Sequence, residues 1–125
     1  VIRRTQVTVT ADGSAGASVG SANTPHVVDG IIRAIHLNYS ASAAATLDVT
    51  ISEANESPAL PVLTVANNAT DGWYYPMRQA DDAGSGADLA NVGAPVVTRD
   101  ALVVAVAGAN DADSVTVTVV WDDGR

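Results

Sequence analysis

Ser18 lies in the run Gly16-Ala17-Ser18-Val19-Gly20, which matches the G-x-S-x-G pattern that carries the nucleophile of many serine hydrolases. That pattern does chemistry only on a strained strand-to-helix turn, with a histidine and an acid brought to the hydroxyl. Here it sits in a stretch rich in Gly, Ala and Ser, where such a match arises from composition, and it is read as coincidence. The only histidines, His26 and His36, would need further ligands in tetrahedral geometry to hold zinc, and they read as surface or edge residues. Asp81, Asp82 and Asp88, and then Asp111 and Asp113, supply oxygen ligands of the kind Ca²⁺ takes. They lack the regular spacing and closing Glu of an EF-hand loop, so solvated turns are expected. Gly84-Ser85-Gly86 lacks the strand–loop–helix frame of a phosphate-binding loop. No catalytic residue, metal ligand or cofactor is assigned, and no enzymatic activity is expected.

The aromatic residues carry more information because they are few: Tyr39, Trp73, Tyr74, Tyr75 and Trp121, with no Phe. Three of them are consecutive. Neighbouring residues of a strand point to opposite faces, so Trp73-Tyr74-Tyr75 should bury at least one ring and turn another outward. An exposed ring here would anchor a subunit contact or stack on a sugar. Core or intersubunit packing is the leading expectation, since a sugar platform also needs polar partners for the hydroxyls. The sequons at Asn38, Asn55 and Asn68 permit glycosylation without implying it.

The elements that must hold these residues follow from period-two alternation. Val7 and Val9 alternate with Thr8 and Thr10, and a long segment from His26 to Tyr39 places Ile31, Ile35, Leu37 and Tyr39 on one parity. Leu47, Val49 and Ile51 alternate with Asp48, Thr50 and Ser52. Leu60 to Ala66, Trp73 to Gln79 and Leu102 to Val106 follow, and Val115, Val117, Val119 and Trp121 close the series. Ala80 to Gly93 reads as the longest polar loop, and the last two strands, joined by a short Gly-Ala-Asn-Asp turn, read as a β-hairpin. About eight strands without a helical stripe predict an all-β, antiparallel β-sandwich of jelly-roll or Ig-like type. It forms a single domain over residues 1–125, with residues 1–22 as a candidate flexible N-terminal arm.

The chain carries 14 acidic residues, twelve of them Asp, against six Arg and no Lys, for a net charge of −8. Nucleic acid is an unsuitable partner for such a surface, because phosphate binding needs basic groups. No apolar run approaches the roughly 20 residues of a membrane span. Without cysteine, neither disulfides nor thiolate metal sites brace the fold. A core of Ala, Val, Leu and Ile then depends on close packing or on neighbouring subunits.

At Asp71-Gly72-Trp73-Tyr74-Tyr75-Pro76, the acidic-glycine run Asp81-Asp82-Ala83-Gly84, and the closing segments Leu102 to Ala107, Gly108-Ala109-Asn110-Asp111 and Val115 to Trp121, the chain resembles small proteins encoded beside the major capsid gene of tailed bacterial or archaeal viruses. The resemblance covers the chain from about Ile31 onward and implies a capsid decoration, or cement, protein. Such a β-sandwich sits on the outer head surface of the virion as a trimer or dimer and clamps the major capsid protein. It brings no catalytic residues. Trp73, Tyr74 and Tyr75 become candidate interface anchors, and Arg3 and Arg4 candidate partners for acidic groups on the capsid or an adjacent protomer. The alternatives are a glycan-binding module of a fibre or turret, and a neck, tail or head-completion component.

Overall fold

The Val/Thr alternation near the end of the chain fixes the centre of the fold. Val115, Val117 and Val119 are fully buried, while Thr116 and Thr118 face out, and this strand is paired on both sides. In the computed structural model, which describes residues 1–125, eleven strands form and no helix does. They are β1 (Ile2–Thr10), β2 (Ser18–Asn23), β3 (Val28–Tyr39), β4 (Asp48–Glu53), β5 (Pro61–Val65) and β6 (Gly72–Tyr74). After these come β7 (Met77–Asp81), β8 (Asp88–Pro95), β9 (Val97–Asp100), β10 (Leu102–Ala109) and β11 (Ser114–Asp122).

Two antiparallel sheets face each other across the core. One runs β1-β11-β3-β6, with β9 also paired to β3, and the other runs β2-β10-β4-β5. Ile35, Leu37, Val117 and Val119 from the first meet Val49, Ile51, Leu102 and Val104 from the second, with Leu47 between them. These side chains have almost no exposure, and each Val, Leu or Ile so buried contributes about 1.5–3 kcal/mol. Trp121 and Tyr39 are the large aromatic residues of an otherwise aliphatic core.

The β-sandwich expected from the alternation is present, and the structure alters three details. Residues 1–22 are not an arm: β1 pairs along its full length with β11, and β2 is an edge strand on β10. Ala80 to Gly93 is not a loop, because β7 and β8 form a separate two-stranded ribbon. The last two strands do not form a hairpin. The turn between them crosses from one sheet to the other, since both β10 and β11 bury an apolar face and the two faces meet across the core.

The glycine- and serine-rich run makes a second crossing between the sheets, from β1 to β2. A Cβ on Gly20 would overlap the backbone of Thr10, and Ser18 is completely buried. Three aspartates are also structural, one of them, Asp113, where a solvated turn was expected. Asp113 is 7% exposed and accepts hydrogen bonds from the backbone N–H of Ala44 and of Asn110, both at 2.9 Å. Asp71 accepts from Tyr39 N–H at 2.7 Å, and Asp48 from Asn67 N–H at 2.8 Å. Each carboxylate satisfies backbone amides that no strand partner reaches.

Candidate functional site

β6 is a three-residue edge strand, and its register on β3 sets the direction of each ring. Tyr74 lies opposite the buried Ile35 and turns inward, while Trp73 lies opposite His36 and turns outward. Tyr75 lies just past the end of the strand, before Pro76. Trp73 is 46% exposed and Tyr75 69%. Tyr74 is held from within, its hydroxyl accepting a hydrogen bond from Asn68 Nδ2 at 2.9 Å.

The register then aligns one row across four strands: Gln6 opposite Thr118, Thr118 opposite His36, and His36 opposite Trp73. The next row is Thr8, Thr116 and Asn38. Gln6 Nε2 donates to Thr118 Oγ1 at 3.0 Å, and the Thr8 and Thr116 hydroxyls share a hydrogen bond at 2.9 Å. The His36 and Trp73 rings meet with centroids 4.8 Å apart and planes tilted by 57°. None of these seven residues is acidic, although the chain carries fourteen carboxylates. The result is a face of hydroxyl, amide and imidazole groups with an indole at one edge and, on β1, Arg4 one pleat beyond Gln6.

Sequence reading found Trp73, Tyr74 and Tyr75 but missed Gln6, Thr8, Thr116, Thr118 and Asn38. The available signal was the repeated Thr between valines, which marks a polar outer face. Which strands lie side by side is a long-range property that local spacing does not carry. Arg3 and Arg4 are not on the row that carries Trp73. They line a separate cleft of about 510 Å³ with Ile2, His26, Val27, Trp121 and Arg125. Arg3 is paired with Asp123, whose carboxyl that guanidinium holds far below the usual range.

Neither histidine reaches the serine of the hydrolase-like run. Ser18 Oγ donates to the Ser14 carbonyl at 2.9 Å, His26 Nδ1 approaches Thr5 Oγ1 at 3.4 Å, and His36 packs on Trp73. No three His, Asp or Glu side chains are gathered closely enough to hold a metal ion. Asn55 and Asn68 use their side-chain amides internally, while Asn38 stands exposed on the polar face.

The fold and this surface together define a β-sandwich with an aromatic-edged polar sheet face. No protein-family model matches the chain, and no curated protein does. Two solved structures are similar to it, both mutants of CBM29-2, a family 29 carbohydrate-binding module. One has 14% identity and a TM-score of 0.43, covering 98% of this chain and 82% of the other. The second has 13% identity and a TM-score of 0.42, covering 98% and 87%. Likeness at that depth defines neither a family nor a ligand.

Proposed function

We propose that the chain is a non-catalytic binding module whose outer sheet face, β1-β11-β3-β6, takes a glycan. The observation that carries this reading is the row Gln6, Thr118, His36 and Trp73, set in register across four strands. A pyranose presents a C–H face, which packs on an indole, and a rim of hydroxyls, which need donors and acceptors in fixed positions. Trp73 supplies the first, with Tyr75 beside it. The Gln, Thr, His and Asn side chains supply the second. A pre-formed sheet surface also loses little entropy on binding. The polar partners required of a sugar platform thus lie beside the aromatics. A screen of immobilised glycans tests this, with Trp73→Ala and Gln6→Ala each reducing retention at least tenfold. Retention that both variants leave unchanged would sink it.

A second reading is capsid decoration, in which the chain binds the major capsid protein on the virion head surface as a dimer or trimer, with Tyr75 and Arg4 among its contacts. The exposed ribbon β7–β8 favours it, since Met77, Leu89 and Val92 lie open there. Mixing the chain with empty heads and counting bound copies separates the two readings. Saturation at high copy number without glycan retention supports decoration, and the reverse supports the sugar site.

A further inference from the structure

The ribbon β7–β8 is incomplete as an isolated structure. All eight residues of β8 are exposed, and the ribbon forms its own two-stranded sheet. A lone two-stranded hairpin is marginal in water, and this one leaves Met77 61%, Val92 50% and Leu89 39% exposed. Its register sets Asp81 directly opposite Asp88, a like-charge pair that repels across the strands. None of the chain's ion pairs includes a ribbon carboxylate. Asp82 differs, since it accepts from the N–H groups of Gly84 and Ser85 and so shapes the tip. The ribbon therefore presents an acidic fork with exposed apolar residues along it, and its one cation, Arg78, stands three residues from the fork, opposite Ala94.

The complement is the cleft lined by Ile2, Arg3, Arg4, His26, Val27 and Trp121. Three of the six arginines, Arg3, Arg4 and Arg125, gather there. Its carboxylates, Asp123 and Asp29, are engaged by Arg3 and Arg99, and Arg4 has no ion-pair partner within the chain. Ile2 and Val27, 57% and 55% exposed, form an apolar rim. Trp121 is 3% exposed and lines the cleft, with its buried Nε1–H unpartnered.

We infer that the β7–β8 ribbon of one copy seats in this cleft of a second copy, Asp81 and Asp88 gripping the Arg4 guanidinium while Leu89 and Val92 cover Ile2 and Val27. A guanidinium presents donors in a fork that two carboxylates satisfy together, which removes the repulsion across the ribbon. Ribbon and cleft are different surfaces, so the contact closes either reciprocally in a dimer or cyclically in a ring. The inference is independent of the ligand taken by the sheet face.

Sedimentation of the purified chain tests it. The wild type is expected to form a closed oligomer whose mass falls toward the monomer near 1 M salt, where screening acts within about 3 Å. Arg4→Glu alone, and Asp81→Arg with Asp88→Arg, should each give a folded monomer with an unchanged circular dichroism spectrum. Combining the three changes in one chain should restore the oligomer. A wild type that stays monomeric overturns the inference, as does an oligomer that survives either reversal. Dissociation without recovery in the combined variant also overturns it.

Discussion

Tyr39 is buried to 7% exposure, and the one amide near its hydroxyl, that of Asn68, is given at 2.9 Å to Tyr74 instead, which leaves the hydroxyl without a well-formed hydrogen bond and makes Tyr39→Phe a stabilising change. An unsatisfied buried polar group costs about 1–3 kcal/mol, and Phe keeps the ring that packs in the core. A gain of about 1 kcal/mol is expected, equivalent to about 4 °C in a domain of this size. The pH dependence gives a second signature. Burial, with the Tyr74 phenol adding to it and the nearby Asn68 amide opposing it, pushes the Tyr39 phenol from 10.0 up to about 12. The folded state therefore holds a proton that the unfolded chain releases across that window, so wild-type stability declines as pH rises through it. The variant lacks this group, and its advantage should widen between those two pH values. Thermal unfolding followed by circular dichroism, first at neutral pH and then across the alkaline window, measures both effects. A variant that melts below the wild type would refute the reasoning, because it would mean that the hydroxyl has a partner in the folded chain.

Gly30 has φ +136°, and a Cβ there would overlap the Asp122 carbonyl, so Gly30→Ala should cost about 3 kcal/mol in urea unfolding. Asp100 is held below its ordinary 3.8 chiefly by the Asn55 backbone N–H, with the Asn55 side-chain amide adding to it. The stability it adds is complete above that ordinary value and is lost as pH falls through the depressed one. Asp100→Asn should therefore flatten the acid limb of a melting-temperature profile below pH 3.8. Ser18→Ala should lower stability by about 1 kcal/mol through loss of its bond to Ser14, and leave any trace of ester hydrolysis in the preparation unchanged.

Local alternation reveals those strands that bury one face. β4 and β11 are legible because every second residue is a fully buried Val, Leu or Ile. β8 is not legible, since its residues are all exposed and pairing alone holds them extended. β2 is hidden for another reason: it lies in a Gly/Ser-rich run where close backbone approach, at Gly20, matters more than side-chain burial. The crossing between β10 and β11 resembles a hairpin in sequence because both strands alternate strongly, and nothing local tells which sheet each joins. The same limit applies to the site. The outward turn of Trp73 follows from strand parity, whereas Gln6 beside Thr118 beside His36 depends on pairings between distant segments.

The central claim is that one face of one sheet recognises sugar, and a titration with short oligosaccharides followed by amide NMR shifts addresses it directly. Shifts should saturate and cluster at Gln6, His36, Asn38, Trp73, Tyr75 and Thr118, with the indole signal of Trp73 among the largest. Unmoved signals up to about 10 mM of every sugar tried, a concentration at which even binding of about −4 kcal/mol would be evident, would contradict it. Shifts confined to the Arg4 cleft or the β7–β8 ribbon would contradict it equally.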